Sequence, residues 1–598
     1  MSWRSLTIAA CLSILVIEFT DNVASKAVAS DREAAQQLVA EALHREIYGL
    51  QADRDRLLTE AIQADPDYAP ARWHHGFVLV GADWSRVYES PGIIGTDSLL
   101  ATYRKHREEL GDTLDGHWEL AEWCRERGMP DQRRAHLTRV LDFDPNHEEA
   151  RTELGFQLSN GQWIHTEELL RQSERESSRQ EALEAWRERM LALRADLGHS
   201  SLETRLRAAS AIRSITSAAA IPAVEECIST HSQTASMLAL EAIASMPEQD
   251  AVDSIIRHSV FSPWPEVRDE ASLRLKSLPH ERFVPRLLAE MYTPLESRTA
   301  VRQVNGRLFY QHAFAREGQD QRQVLFFNSI YRRRVIPGAN GNETLSRAFA
   351  DSFATAVQLQ QSAQQQNAFT TLLNERIARV LNLATQQNLP ANPQTWWQWW
   401  NQQNDVAIQG QKQTQQQTLT RQVVVSDQSP SSVASDGAQS QGSPRPQRVE
   451  CFAAGTLVWT SSGQMPIEAI QVGDVVLSQD VETGELAYKP VVRTTIRPME
   501  PLIKTRVGND AFETSGGHLF WASGQGWSKA RDLESGVLLH TIKGTVPVLS
   551  VESGTVAQTY NLVVADFNTY FVGAGKVLSH DVTDRQPTTK LVPGLAAY

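Results

Sequence analysis

The sequence predicts a multi-domain protein with an all-α helical-repeat N-terminal half and an all-β C-terminal domain. A block that begins at Asp65-Pro66 returns at Asp144-Pro145, with matching Ala-Arg, Gly-Phe, Leu and Trp residues at the same offset, which indicates a repeated unit. From about residue 200, Ala/Leu-rich helical patterns recur about every 31 residues. After residue 450, short strand patterns alternate with turn residues, which is typical of an all-β domain.

Composition limits the class of protein and the kind of partner. The chain has 598 residues, of which 41% are hydrophobic and 22% are charged, as in soluble globular proteins. This length corresponds to three or four domains. The net charge of −13 argues against nucleic acid or an anionic membrane as the main partner.

The N-terminus has the pattern of a signal peptide over residues 1–29. An apolar run from Leu6 to Ile17 is too short to span a bilayer, and Ala27-Val28-Ala29 forms a small-residue cleavage pattern. The alternatives are an uncleaved anchor or a disordered start. The pattern predicts an exported protein, periplasmic or extracellular, with no transmembrane segment after signal removal.

Residues 30–195 form the first repeat region. An Asp-Pro turn ends one helix, and Ala-Arg opens an amphipathic helix in which Gly76 and Phe77, or Gly155 and Phe156, pack on a neighbour. The pattern resembles tetratricopeptide repeats, although the offset between copies is longer than the usual period of about 34 residues.

Residues 196–300 form a second repeat region. The pattern Leu206–Ile212 returns as Leu238–Ile243 and, more weakly, as Arg268–Leu273. It resembles HEAT repeats, and a plain helical bundle is the alternative. Repeat helices usually present a surface to another protein, so a protein partner of unknown identity is expected.

Residues 301–400 are a mixed α/β segment. Strands are predicted at Val324–Phe327 and Arg334–Ile336, and a Gln-rich helix at Ser346–Leu383. The tryptophan cluster at residues 396–400 could stack on a sugar or wall polymer. The apolar anchor of a small domain is the favoured interpretation.

Three segments follow along the chain. Residues 401–450 are rich in Gln, Ser and Pro and are predicted to be a linker. Residues 451–581 are the predicted β-domain, and residues 582–598 are a C-terminal tail. Four strands of the β-domain are predicted at Thr456–Thr460, Val475–Ser478, Thr559–Val564 and Thr569–Val572.

Four blocks occur in order along the β-domain. They are Cys451–Val458, Val472-Gly473-Asp474, Glu513–His518 and His580-Asp581. Together they resemble the Hint domain of inteins and hedgehog proteins, and most closely the pretoxin Hint branch. The resemblance covers about a fifth of the chain and implies a self-processing β-fold.

The resemblance implies a chemical role for each residue. Cys451 is the nucleophile that attacks the carbonyl carbon of Glu450, and His518 protonates the leaving nitrogen. Ser515 holds either the scissile peptide or His518, and His580 is the family's helper of a terminal Asn. The thioester product is open to water or to a thiol or alcohol acceptor. The alternative is an inert β-domain in which Cys451 is a buried thiol and His518 a core histidine.

The sequence departs from the family at the C-terminal end. Ser515 replaces a Thr and keeps the hydroxyl, but Asp581 stands where the family has the Asn that cyclises. Val582 follows, where splicing needs Cys, Ser or Thr, so splicing is excluded and only cleavage before Cys451 is open. The sequence predicts no metal ligand set and no cofactor.

The sequence is therefore compatible with two functions. The first is a single-turnover cleavage that releases the helical part from the β-domain. The second is a non-catalytic protein-binding scaffold that carries a degenerate Hint domain.

Overall fold

The structure is a computed structural model that describes most of the chain after the first 30 residues. The described residues are 31–87, 98–159, 162–304, 307–333, 341–404, 406–407, 412–425, 431–441, 447–448, 451–583, 585 and 588–596. The predicted signal peptide and the predicted strand Arg334–Ile336 lie outside them.

The chain divides into two compact units that do not follow the predicted boundaries. Residues 145–447 form one unit, which we call the inserted unit. Residues 1–144 and 448–598 together form the other, which we call the split unit. We refer to residues 31–144 as the N-terminal segment and to residues 451–583 as the C-terminal domain, and both belong to the split unit.

Where the structure describes it, the N-terminal segment is helical apart from one β-hairpin. Its helices span 31–47, Gln51–Ala64, Ala69–His74, Ser98–Leu110, Leu114–Glu126 and Pro130–Phe143. The hairpin pairs Phe77–Val80 with Asp83–Arg86.

The hairpin corrects the predicted structure of the repeat. The helix that follows Asp65-Pro66 ends at His74, and Gly76 has a φ of +84°, which favours glycine and ends the helical path. Arg72 donates a hydrogen bond from Nε to the Pro66 carbonyl oxygen at 2.6 Å. Its guanidinium lies 5.5 Å from the ring centres of both Phe77 and Trp84. The repeated Phe and Trp therefore fix a hairpin and do not extend a helix.

The second copy of the repeat, in the inserted unit, has the same construction. Arg151 bonds to the Pro145 carbonyl oxygen at 2.5 Å and lies over Phe156 and Trp163, at 5.3 and 5.6 Å. Gly155 has a φ of +83°. The sequence repeat is thus a structural repeat of a short helix followed by a hairpin.

The inserted unit is mainly helical over its first half. Its helices span Glu148–Glu153, Thr166–Leu197, Leu202–Arg213, Ile221–Val224, Gln233–Ile243, Gln249–Phe261, Pro265–Leu275, Val284–Ala289, Gly341–Thr385 and Pro393–Gln403. The second hairpin pairs Phe156–Ser159 with Gln162–His165. The helices predicted around residues 206, 238 and 268 are present.

The tryptophan cluster is an apolar anchor. Asn392 caps the helix Pro393–Gln403, and Trp396, Trp397 and Trp400 are buried in the same core as the helices after residue 190. The interpretation favoured from the sequence agrees with this burial.

The predicted linker contains two strands, Gln413–Val425 and Ser431–Gln441. Strands at Glu296–Val304, Arg307–Glu317 and Gln321–Arg333 form an antiparallel meander, and Gln413–Val425 pairs in parallel with the third. Ser431–Gln441 adds an antiparallel fifth strand. Most of the strand Gln413–Val425 is Gln and Thr, so its ladder of backbone hydrogen bonds is not visible in the composition. Near its end, Val423 packs in an apolar core with Leu308 and Tyr331.

The C-terminal domain is a single curved sheet of twelve strands. They span Phe452–Ala453, Leu457–Thr460, Gly463–Pro466, Val475–Gln479, Leu486–Val507, Asp510–Thr514, Leu519–Ala522, Gly526–Lys529, Leu538–Thr541, Gly544–Val564, Thr569–Val572 and Val577–His580. The pairing of Val458 with Val572 joins two distant parts of this sheet. The four predicted strands are present, and Phe452, Phe520 and Tyr570 lie in the core.

The last described residues form a small hairpin, Lys590–Val592 with Leu595–Ala596. Val592 and Leu595 pack among helices of the N-terminal segment, so this part of the predicted tail belongs to a core. Within the described part of the chain, no helix combines the length and the apolar character that a membrane crossing requires.

Candidate active site

Cys451 directly precedes the first strand of the C-terminal domain, Phe452–Ala453. The next residue, Phe452, pairs with Thr514 on one side and with Tyr560 on the other. This double pairing fixes the chain at residue 451 against the turn that follows Thr514. The Cys451 side chain is fully buried. Glu450, the other residue of the proposed scissile bond, lies outside the described residues.

Ser515 contacts the backbone of Cys451 directly. The Cys451 backbone N–H donates a hydrogen bond to the Ser515 hydroxyl oxygen at 3.0 Å. The Ser515 backbone N–H donates to the Cys451 carbonyl oxygen at 2.9 Å. Of the two partners that the sequence left open for Ser515, this hydroxyl bonds to the peptide nitrogen of residue 451.

His518 is placed by the same turn. Its backbone N–H donates to the Ser515 carbonyl oxygen at 3.1 Å, and its ring centre lies 4.0 Å from that of Phe452. The imidazole is fully buried, and its Nε2 lies 2.7 Å from the hydroxyl oxygen of Ser579. The structure thus brings Cys451, Ser515 and His518 together at one turn.

Ser579 is a site residue that the sequence analysis missed. It is fully buried, and besides His518 its hydroxyl reaches the His580 carbonyl oxygen at 3.3 Å. The only local signal was its position directly before His580-Asp581. Its side chain points toward His518 because Ser579 pairs with Phe520, two residues beyond that histidine.

His580 and Asp581 form a separate arrangement at the end of the last strand. His580 Nδ1 lies 2.8 Å from the Asp581 carbonyl oxygen, and its ring packs edge-on against Trp527 at 4.9 Å. One Asp581 carboxylate oxygen accepts from the Val564 backbone N–H at 2.9 Å, and the other accepts from the Thr583 backbone N–H at 2.7 Å. Asp581 therefore acts in the fold as an acceptor that joins two backbone segments.

Metal chemistry has no candidate site in the described ranges. There, no group of three or more His, Cys, Asp or Glu side chains is arranged to hold a metal ion. Cys124 and Cys227 are buried in helical cores, and burial raises the pKa of the Cys124 thiol to about 12. A thiol held in its neutral form is a poor nucleophile, so Cys124 is a packing residue.

The comparisons with known proteins concern the C-terminal domain. Residues 457–583 match the family described as "Pretoxin HINT domain". The matched range contains Ser515, His518, His580 and Asp581, and Cys451 precedes it. No protein in the curated set is significantly similar to this chain.

Several solved structures are similar over the same region. A bacterial intein-like domain from Clostridium thermocellum is 32% identical, with a TM-score of 0.21, over 22% of this chain and 98% of that chain. A DnaB intein from Synechocystis sp. PCC 6803 is 13% identical, with a TM-score of 0.21, over 22% and 99%. The gp41-1 intein is 23% identical, with a TM-score of 0.19, over 22% and 97%.

The all-β fold and the Cys-Ser-His turn define a module of the Hint class. The family match identifies the C-terminal domain, more particularly, as a pretoxin Hint domain. This identity supports a self-processing function in general.

Proposed function

We propose that the C-terminal domain cleaves its own chain once, between Glu450 and Cys451, and does not splice. The observation that carries the proposal is the hydrogen bond from the Cys451 backbone N–H to the Ser515 hydroxyl. That nitrogen is the leaving group of the proposed reaction. The Ser515 side chain therefore contacts the reacting peptide bond itself.

The proposed step is an acyl shift from nitrogen to sulfur. The Cys451 thiolate attacks the Glu450 carbonyl carbon through a five-membered ring, which forms a C–S bond. The C–N bond then breaks, the nitrogen keeps the electron pair, and it takes up one proton to become the α-amine of Cys451. Water converts the thioester into a carboxylate at Glu450 and restores the thiol.

His518 is proposed to supply the proton for the leaving nitrogen. Without that proton the amine re-attacks the thioester and the peptide bond re-forms. Histidine is the side chain that most often serves as a general acid in enzymes. Its placement beside Phe452, at the turn that holds Cys451, supports the assignment.

Asp581 and Val582 support cleavage without splicing. A carboxylate lacks the amide nitrogen that would cyclise, and both Asp581 oxygens already accept backbone hydrogen bonds. Val582 has no nucleophilic atom to receive the acyl group. His580 still contacts the Asp581 carbonyl oxygen, and we assign it no step in the proposed cleavage.

Intact mass of the purified chain tests the proposal. We expect the wild type to yield two pieces that meet at Glu450 and Cys451, faster with added thiol because thiolates attack thioesters more readily than water does. Cys451→Ala should stay whole, and His518→Ala should cut roughly 10²–10⁴-fold more slowly. If wild type and Cys451→Ala both stay whole with thiol present, the proposal fails and the scaffold function is favoured.

We further propose that the protein is exported and that its mature chain begins near Ser30. The proposal rests on the apolar run Leu6–Ile17 and on Ala27-Val28-Ala29. N-terminal sequencing of protein from the native host tests it, and Met1 retained in cytoplasmic protein would contradict it. We also propose that the helical repeats bind a protein partner, because repeat helices usually present a surface to another protein.

A further inference from the structure

A buried cluster of charges joins the N-terminal segment to the C-terminal domain. Glu46 accepts hydrogen bonds from Arg54 Nε at 2.8 Å and from the Ser523 hydroxyl at 3.1 Å. Its carboxylate also lies 2.6 Å from Nδ1 of His540, whose Nε2 lies 2.8 Å from the Gln479 side-chain oxygen. Both ring nitrogens of His540 therefore lie within hydrogen-bond distance of a side-chain oxygen, one on each side of the ring.

This cluster fixes two distant parts of the sequence together. Glu46 and Arg54 come from the first two helices, whereas Ser523, His540 and Gln479 come from the C-terminal domain. The side chains of Glu46, Arg54 and His540 are each about 1% exposed or less. Because these side chains are shielded from water together, their hydrogen bonds fix how the two parts are oriented more than they add to the free energy of association.

A second contact lies at the turn before the strand Val475–Gln479. Arg107 donates from one Nη to the Val472 carbonyl oxygen at 2.8 Å and to the Asp474 carboxylate at 3.2 Å. The Tyr103 hydroxyl lies against Gly473, so closely that a Cβ on Gly473 would overlap it. The turn can approach the helix only because residue 473 has no side chain.

Two bidentate ion pairs extend the contact across the surface. Arg134 bonds both carboxylate oxygens of Asp566, at 2.9 and 3.0 Å. Arg493 binds Asp142 through two nitrogens. Paired nitrogens on a carboxylate fix orientation as well as distance, so these contacts add specificity to the interface.

Apolar packing covers the remaining surface. Val78 and Val87, from the hairpin region of the N-terminal segment, share a core with Trp521, Phe571 and Leu578 of the C-terminal domain. The terminal residues Val592 and Leu595 are buried among the first helices, as described above. Burial of large side chains at the centre of a contact is the main source of binding free energy.

We infer that residues 31–144 are a built-in partner of the C-terminal domain and hold it without a covalent link. If the chain cuts itself as proposed above, the product is a two-piece complex and the cut does not release the C-terminal domain. Of the two chain connections to the inserted unit, the cut removes the one near residue 448 and leaves the one at residue 144. The sequence predicts that cleavage releases the helical part from the β-domain, whereas these contacts predict that the two pieces stay together.

The test uses a chain that cannot process itself, so it does not depend on the proposed cleavage. A site for a specific protease is inserted between Gln441 and Gln447 in full-length Cys451→Ala. After complete cutting, denaturing electrophoresis should give two pieces, whereas size exclusion and native mass at nanomolar concentration should give one complex of unchanged mass. Separate pieces under native conditions would overturn the inference.

A matched pair of glycine variants tests the contact itself. Gly473 and Gly536 both have left-handed backbones, with φ of +89° and +95°, and a Cβ on Gly536 would meet nothing within 4 Å. Both alanine variants place a side chain on a left-handed backbone, but only the Cβ of Gly473→Ala meets Tyr103. We expect Gly473→Ala to raise the dissociation constant between the two cut pieces about tenfold or more relative to Gly536→Ala. Equal retention in the two variants would contradict the proposed contact at this turn.

Discussion

Cys451 and Ser515 are joined by two hydrogen bonds that run in opposite directions. The amide of Cys451 donates to the Ser515 hydroxyl at 3.0 Å, and the amide of Ser515 donates to the Cys451 carbonyl at 2.9 Å. The second bond fixes the backbone, and the first places a hydroxyl on the nitrogen that the proposed reaction must release. The two contacts separate the structural role of residue 515 from its chemical role.

The first prediction is that the Ser515 hydroxyl is needed for fast cleavage, whereas the backbone bond of Ser515 is structural. Ser515→Ala keeps the backbone bond and removes the hydroxyl, so the Cys451 amide loses its side-chain acceptor. We expect cleavage to slow by roughly 10- to 100-fold, which corresponds to about 1–3 kcal/mol. Ser515→Thr, which restores the residue type of the family, should cut at a rate close to that of wild type. Single-turnover kinetics by intact mass measures both, and equal rates for Ala and Ser would remove Ser515 from the mechanism.

The second prediction concerns Ser579 as a positioning residue for His518. The Ser579 hydroxyl lies 2.7 Å from His518 Nε2, so Ser579→Ala removes a hydrogen bond that orients the ring. We expect Ser579→Ala to slow cleavage about tenfold and to shift the pH dependence of the rate, because the hydroxyl bonds to the ring that is proposed to supply the proton.

Ser523→Ala is the control for this variant. It also removes a buried hydroxyl from the C-terminal domain, but the hydroxyl contacts Glu46 and not His518. A pH–rate profile that is the same for Ser579→Ala and Ser523→Ala would assign Ser579 to stability alone.

Much of the C-terminal domain could be predicted because its signals are local. Strands such as Thr569–Val572 are short runs of β-branched and aromatic residues between turns, and the motif order along the chain located Cys451, Ser515 and His518. The contact of Ser579 with His518 was not predictable, because it depends on the pairing of two strands that are far apart in sequence.

The partnership of Glu46 with His540 could not be predicted for a related reason. A Glu in an amphipathic helix normally faces solvent. No local pattern marks a Glu that will be covered by a residue 494 positions later in the sequence. The hairpin at Phe77–Val80 was missed because four apolar residues suit a helix as well as a strand. The positive φ of Gly76, which decides between them, is a property of the folded chain.

The third prediction is that Asp581 contributes to the stability of the fold and not to the cleavage before Cys451. The carboxylate accepts backbone hydrogen bonds from Val564 and Thr583 at opposite oxygens. Asp581→Asn places an NH₂ group against one of these donors, so we expect a loss of about 1–3 kcal/mol in the free energy of unfolding. Asp581→Ala removes both acceptors and should lose more. Urea denaturation measures these losses.

Cleavage before Cys451 should persist in both Asp581 variants under conditions where they remain folded, because Asp581 has no part in that step. Intact mass also reports whether Asp581→Asn makes a second cut after residue 581. Such a cut would show that His580 and the new amide are already aligned. Loss of the cleavage before Cys451 in a folded Asp581 variant would contradict the purely structural role of Asp581.

The fourth prediction is that acid weakens the split unit, for three reasons that can be assigned to residues. Burial, the largest effect, lowers the pKa of His74 to about 3 and the pKa of His136 to about 3. Burial alone would raise the pKa of Glu46, but His540 and Arg54 together hold it at about 2.

The sign follows from comparing these pKa values with those of the unfolded chain, about 6.5 for His and about 4.5 for Glu. Between pH 6.5 and 3, the unfolded chain binds protons at His74 and His136 that the folded chain does not, so stability falls as pH falls. Each histidine contributes a slope of up to about 1.4 kcal/mol per pH unit. Glu46 stabilises fully above pH 4.5, and its contribution is lost as pH falls from 4.5 toward 2. We therefore expect a flat profile above about pH 7, a decline below 6.5 and a steeper decline below 4.5.

Urea denaturation at pH 7, 5.5 and 4 measures the decline, and His136→Gln assigns part of it. The imidazole of His136 lies 2.8 Å from both the Tyr103 hydroxyl and the His117 ring, so the variant is expected to be less stable at pH 7. Its loss between pH 7 and 5.5 should nevertheless be smaller than that of wild type, because one buried group no longer resists protonation. His231→Gln, which changes an exposed histidine of the inserted unit, is the control and should keep the wild-type slope. A wild-type free energy of unfolding that is constant from pH 7 to 4 would contradict the prediction, since neutral buried imidazoles cannot be maintained at pH 4 without a cost to the folded state.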